Sequence, residues 1–391
     1  MKGLLITNDF PPMGGGEAVW YDRLCGAVDP KQVVVLAPRL PADAETDARR
    51  PYRVVRVPVS VAAHPLARAT QIIMFLGSAL RLIRRERVEV VHFGHLYLGL
   101  IGLALWRLRK IPYVLYLHGG EMASYLRLRP VRAVIAAVLG GAAAIVVNSS
   151  YTRRHYEAMG FLLPGARTLT MGVDVARFRP GLDPSGVRAR YGLDGARVLL
   201  TVGRLVERKG HDTVIRALGT VRDAVGPVRY LIVGTGPESE RLRILANEMG
   251  CGGDVIFAGR VPDDDLPFLY AAADVFVMPS RALTGRDGIE GFGIVFQEAA
   301  ACARPAVGAR TGGIADAVAD GETGVLVEPD SVEDLAGAIL GLLTNRERAA
   351  RLGGEARRRA ERLARDWVPS VTALWSQGWS DSVERGAAHA G

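Results

Sequence analysis

Short apolar runs, each followed by a turn and then a helical pattern, recur along this chain and limit what it can fold into. They fall at residues 2–8, 32–37, 52–57, 88–93, 112–117 and 144–148, and again at 197–202, 228–233, 255–259, 274–278 and 324–327. Runs without polar alternation suit strands buried on both faces, and strands of that kind belong to parallel sheets. Helices must then supply the crossovers, so the pattern predicts an α/β fold. At 391 residues the chain is too long for one core. The reading is two Rossmann-like domains, 1–172 and 173–366, with parallel sheets facing a cleft. Residues 41–50 read as a polar loop. Residues 64–87 read as one helix, either packed on the core with a basic exposed end (Arg81, Arg84, Arg85, Arg87) or lying on a membrane surface.

Composition excludes little but points one way. Hydrophobic content of 49% and charged content of 23% suit a soluble enzyme. Cys25, Cys251 and Cys302 have no metal or disulfide spacing and read as packed or idle thiols. The opening apolar run is too short for a signal peptide, so a cytoplasmic chain is expected. The uncharged window 133–152 reads as a helix, a turn and a strand rather than a membrane span. Residues 1–172 hold 22 Lys and Arg against 11 Asp and Glu, a net of +11; residues 173–391 hold 27 against 30, a net of −3. A basic first half suits anionic lipid or a phosphorylated acceptor, or reflects nothing more than an Arg-rich proteome. No RNA-binding signature accompanies it, and no nucleic-acid partner is expected.

The chemistry concentrates in residues 285–313. Glu290 lies in a Gly-rich turn, and Glu298 lies eight residues later in a helical segment at 294–302. A helix beginning just after Gly293 points unsatisfied N–H groups and a partial positive charge into the turn, which makes an anion site suited to a phosphate. Eight helical residues rise about 12 Å, so the two carboxylates cannot grip one small group. Glu290 suits the head of a long ligand and Glu298 its middle, as in a sugar joined to a nucleotide by a diphosphate.

Other candidates sit at strand ends. Gly203-Arg204 and Lys209-Gly210 follow the strand 197–202, and two cations there can converge on a diphosphate. Arg208 is set aside as a neighbour of Lys209. His118-Gly119 ends the strand 112–117 and points where open α/β sheets bind ligands, unless the backbone simply satisfies the imidazole. Gly14, Gly15 and Gly16 link a strand to a helix without the dinucleotide fingerprint. Arg127, Arg129 and Arg132 are placed toward an acidic acceptor or lipid.

These motifs resemble the retaining glycosyltransferases of the GT-B fold that carry spaced glutamates. The stretch Met278-Pro-Ser-Arg…Asp287-Gly-Ile-Glu-Gly-Phe-Gly-Ile-Val295 is particularly similar to bacterial phosphatidylinositol mannosyltransferases and their relatives. The resemblance covers nearly the whole chain and implies the following. Residues 172–180 form the interdomain crossing. A helix over about 367–382 returns to the first domain, and a disordered tail follows. Gly15 and Gly16 approach the donor phosphate. Arg204 and Lys209 hold the diphosphate and stabilise the leaving group, with Gly203 beside them. Arg260 and Val261 meet the base. Glu290 holds sugar hydroxyls and Glu298 the ribose, and His118 approaches the transferred sugar. Phe292, Gly293, Ile294 and Val295 complete the donor set.

The implied reaction moves a sugar, with mannose from GDP-mannose as the leading expectation, to a hydroxyl of a lipid-linked or glycan acceptor. A UDP-sugar is the rival donor. No cofactor and no metal are expected, since no Asp-x-Asp pair stands in a suitable position. Contact with the inner face of an anionic membrane is a further expectation. A nucleotide-sugar epimerase and a non-catalytic sensor are the other classes compatible with the architecture.

Overall fold

The computed structural model describes residues 1–61, 64–120, 129–283 and 288–377. The chain forms two compact units. One comprises Met1–Met171 with the end of the chain from Asp366, the other Gly172–Arg365.

The first unit holds β1 (Gly3–Ile6), β2 (Val33–Pro38), β3 (Arg53–Val57), β4 (Val90–Phe93), β5 (Tyr113–Leu117), β6 (Ala144–Val147) and β7 (Arg167–Thr168). They pair in the order β3-β2-β1-β4-β5-β6-β7, and every pairing is parallel. β1 is central: Leu4 stands opposite Val34 on one side and Val91 on the other. The second unit holds β8 (Arg197–Val202), β9 (Val228–Val233), β10 (Val255–Gly259), β11 (Val275–Met278), β12 (Ala306–Ala309) and β13 (Gly324–Val327), ordered β10-β9-β8-β11-β12-β13 and again all parallel. The central strands are buried along their length, which is why they read as unbroken apolar runs. Two parallel-sheet, Rossmann-like halves are thus the fold class the sequence predicts.

In each sheet the direction of strand addition reverses once, between β1 and β4 and between β8 and β11. The carboxyl ends of strands flanking such a reversal form the crevice in which open α/β sheets bind ligands.

Several local expectations change. Residues 41–50 are not simply a loop: Asp43–Ala48 is helical. Asp43 accepts the Leu40 N–H at 3.1 Å, and Asp43 and Glu45 place negative charge in the first turn. The helix expected over about 367–382 is the end of one longer helix, Arg346–Ser376, with Pro369 inside it. Its end is fastened to the first sheet. Trp367 meets Trp20 edge-on at 5.8 Å, and Trp375 stacks on His92 at 4.0 Å with the rings 6° apart. Gly3 makes room for this, because a Cβ there would lie 2.6 Å from the Trp375 ring.

The helix Pro65–Glu86 buries Phe75, Ala79 and Leu82 in the first core and leaves Leu66 and Ile73 exposed. It is the one helix, among the described residues, long and apolar enough to cross a membrane. Arg132 donates to the Met159 carbonyl at 2.7 Å and lies over the Phe161 ring. Arg127 and the tail beyond residue 382 lie outside the described residues. Cys25, Cys251 and Cys302 are all buried.

Candidate active site

In the second unit the loops after β8 and β11 meet at the reversal point. Gly210 permits this approach: its φ is +71°, and a Cβ would lie 2.1 Å from the Pro279 carbonyl oxygen. The chain between them forms a single 3₁₀ turn, Glu207–Lys209, which tucks Lys209 inward to 8% exposure.

Lys209 Nζ lies 2.6 Å from Glu290 Oε2 and 3.4 Å from Met278 Sδ. Arg208 Nη1 lies 2.7 Å from the same Glu290 oxygen. Two cations therefore share one carboxylate oxygen, and among the described residues Oε1 makes no hydrogen bond. Burial alone would raise the Glu290 pKa, but the Lys209 and Arg208 charges and hydrogen bonds outweigh it and hold the carboxyl below its ordinary value. Burial pulls the Lys209 ammonium down, against the attraction of Glu290. A carboxylate contacted by two cations stays ionised and keeps Lys209 charged.

The backbone of Glu290 is fixed as well. Its carbonyl accepts the Gly313 N–H at 2.7 Å. Gly312 and Gly313 are glycines for steric reasons: a Cβ would lie 2.3 Å from the Glu290 oxygen in one case and 1.9 Å from the Gly291 oxygen in the other. The Thr311-Gly-Gly turn is thus the seat of the Glu290 loop.

The helix Ile294–Ala301 starts from Gly293, which takes a left-handed φ of +83°. Glu290 precedes that helix, as the sequence predicts. Glu298 lies one turn in, half-buried, and accepts the Tyr270 hydroxyl at 2.7 Å. Phe292 is buried, and Ile294 and Val295 are half-buried against the core. Gly203 follows β8, and Arg260 is exposed beyond β10 beside half-buried Val261.

Arg204 does not join Glu290. It is exposed and makes no hydrogen bond or ion pair through its side chain among the described residues. Its main chain is held: neutral His211 lies with Nε2 3.3 Å from the Arg204 carbonyl and Nδ1 3.0 Å from the Tyr230 hydroxyl. Sequence reasoning missed Arg208. The only signal was its adjacency to Lys209, which identifies no partner.

In the first unit His118 follows β5 and is buried. The Tyr21 hydroxyl donates to the Gly94 carbonyl at 2.6 Å, so at 2.6 Å from His118 it must accept the Nε2–H. Burial pushes the His118 pKa down to about 3, and the ring is neutral. The Trp20 and Tyr21 rings wall it edge-on. Gly15 and Gly16 are exposed at the head of the helix Gly16–Gly26, and Gly15 has a φ of +133°.

Sequence reasoning also missed a polar group at the reversal between β1 and β4. Asp9 Oδ2 lies 3.0 Å from His95 Nε2, and Glu17 Oε2 lies 3.9 Å from His95 Nδ1. Among the described residues these three are the group whose ligand-type atoms fall close enough to share an ion, within 4.8 Å of one another. Asp9 and His95 already face each other at that distance.

A family model described as Glycosyl transferases group 1 matches residues 187–359, and one described as Glycosyltransferase Family 4 matches residues 13–177. The GDP-mannose-dependent alpha-(1-6)-phosphatidylinositol monomannoside mannosyltransferase of Mycobacterium tuberculosis is 35% identical over 390 residues, covering 95% of this chain and 94% of that one. Its namesake from Mycolicibacterium smegmatis is 35% identical over 356 residues, covering 90% and 91%. Among solved structures, a sucrose-phosphate synthase from Thermosynechococcus elongatus superposes with a TM-score of 0.80 at 22% identity, covering 96% of this chain and 98% of that one. HepE of Anabaena, in complex with UDP and glucose, gives 0.79 at 20% identity, covering 96% and 100%. At such identities the structural likeness speaks for the fold alone. The near full-length sequence similarity speaks for ancestry, and the chain belongs to the glycosyl transferases group 1 family.

Proposed function

We propose that the protein transfers mannose from GDP-mannose to a hydroxyl of a phosphatidylinositol-type glycolipid, with retention of anomeric configuration and without a metal. The observation that carries the reading is the similarity, along nearly the whole chain, to enzymes named for that donor and acceptor class.

The chemistry of the site supports it. Departure of GDP breaks the bond from the anomeric carbon to the phosphate oxygen and leaves negative charge on the diphosphate. Lys209, Arg204 and the helix N-terminus after Gly293 offer fixed positive potential for that charge. Glu290 Oε1 is an available acceptor for a sugar hydroxyl, while Oε2 is held by its two cations. The acceptor oxygen bonds to the anomeric carbon on the face GDP leaves, and its proton passes to a donor phosphate oxygen. The assignments of Glu298 to the ribose, of Arg260 and Val261 to the base and of His118 to the sugar rest on the family resemblance. A lipid acceptor suits peripheral contact with an anionic membrane from the cytoplasmic side. The exposed Leu66 and Ile73 and the basic end of the helix Pro65–Glu86 support that contact.

A thermal-shift panel of GDP, UDP and ADP, each alone and as a sugar conjugate, tests the donor. A ligand at a hundred times its Kd adds about 2.7 kcal/mol. GDP and GDP-mannose should shift the melt, and labelled GDP-mannose should label phosphatidylinositol monomannoside in vesicles. A shift with UDP alone would discard mannose, and silence from all three would overturn the reading.

A further inference from the structure

Arg208 is engaged at both ends. Its main-chain carbonyl accepts the N–H of Arg281 at 2.8 Å, just past the end of β11. Its guanidinium binds Glu290 Oε2. One residue thus holds the β11 loop at its first residues and again at its functional carboxylate. Arg281 is an anchored point: its guanidinium reaches Asp212 at 2.8 and 3.2 Å and the Thr213 hydroxyl at 2.7 Å.

Lys209 alone could neutralise Glu290. An ammonium, however, is a compact point charge whose donors rotate, and it imposes little direction. Planar guanidinium geometry does impose direction. The Arg208 side chain is 18% exposed and that of Glu290 12%, so solvent screens the contact little. With both cations on Oε2, the carboxylate cannot turn without breaking two charged hydrogen bonds. The cluster also keeps a net positive charge, which a one-to-one Lys–Glu pair would lack.

We propose that Arg208 is a positioning residue for donor chemistry: it ties Glu290 to the start of its own loop and aims the second carboxylate oxygen at the transferred sugar. The inference rests on the reading that Glu290 holds the sugar.

The test uses the full chain with Arg208→Ala, Arg208→Lys, Glu290→Gln and the double variant Arg208→Ala/Glu290→Gln. Arg208→Ala should lower kcat about 10- to 100-fold, the cost of a misplaced contact. Binding of GDP, which lacks the sugar, should change less than about threefold. The acid limb of kcat/KM should move to higher pH, because Glu290 loses one of its two cations. Arg208→Lys should restore the acid limb and not kcat. In the Glu290→Gln background, Arg208→Ala should cost about threefold or less, since the two act as one unit. Wild-type kcat with an unmoved acid limb in Arg208→Ala, or fully additive losses in the double variant, would overturn the proposal. If Arg208→Ala does not fold, the Arg208→Lys split between acid limb and kcat decides alone. If the wild type transfers nothing, the glycosyl-transfer reading falls by itself. The Arg208–Glu290 tie is then read from melting temperatures, where non-additive losses support it and additive losses sink it.

Discussion

The Tyr21 hydroxyl bridges His118 Nε2 and the Gly94 carbonyl, 2.6 Å from each. This single atom sets the tautomer of the imidazole. Tyr21→Phe removes both of these buried hydrogen bonds, at a cost of about 1–3 kcal/mol. Urea denaturation should show that loss, and turnover should fall as the ring loses its orientation. Unchanged stability and turnover would remove Tyr21 from the site.

Arg204 offers the opposite case. It is exposed and makes no hydrogen bond or ion pair through its side chain among the described residues. Arg204→Ala should alter stability by no more than about 0.5 kcal/mol. Its loss should raise the donor KM about tenfold or more, the worth of one charge-assisted hydrogen bond. A KM at the wild-type value would take Arg204 out of diphosphate binding.

Gly312 supports the Glu290 carboxylate through close backbone packing. At φ +56°, with the Glu290 oxygen 2.3 Å from where a Cβ would stand, Gly312→Ala must displace the Glu290 loop. The variant should lose about 1–3 kcal/mol of stability. Its remaining folded fraction should turn over more slowly than wild type, measured at equal folded concentration. Full specific activity would show that the loop tolerates displacement.

Three buried histidines make stability depend on acid. Burial lowers His92 and His118 to about 3 and His211 to about 4, from 6.5. Their folded pKa values lie below the unfolded ones, so the unfolded chain binds more protons. Their contribution is complete above pH 6.5 and is lost as pH falls toward the folded values. Each costs at most about 1.4 kcal/mol per pH unit in that window. Denaturation midpoints should drop between pH 7.5 and pH 5, and His92→Phe, which keeps a ring against Trp375, should flatten the slope by about one histidine in three. An unaltered slope would mean that His92 is not neutral and buried in solution.

Glu290→Gln keeps the shape of the side chain but removes the counter-charge of Lys209 and Arg208. Turnover should fall about 100-fold or more, and stability should fall by about 3–5 kcal/mol, the cost of a buried charge left unpaired. Near-normal turnover would end the assignment of Glu290.

The fold class was legible because strands covered on both faces cannot carry polar residues, and the apolar runs record that burial directly. The helix at Asp43–Ala48 was hidden: it carries no large apolar residue, so no periodicity betrays it, and it leans on the Leu40–Asp43 hydrogen bond and on ion pairs such as Arg56–Asp47. The site divided in the same way. Glu290, Lys209 and the helix after Gly293 stood out because glycine spacing and strand ends are local features. Arg208 did not, because its meaning is a contact with a residue 82 positions away.

By itself, the sequence determined two parallel-sheet halves, most of their strands, and the Gly-rich turn and following helix that carry Glu290 and Glu298. All of these follow from burial and backbone sterics written into neighbouring residues. Only the tertiary structure decided which cation meets which carboxylate, that Arg204 stays exposed while Arg208 is used, and that Tyr21 sets the tautomer of His118. Those outcomes depend on side-chain distances between segments remote in the chain. Charge–charge energies and hydrogen bonds change steeply over an ångström, whereas a pattern of apolar residues does not.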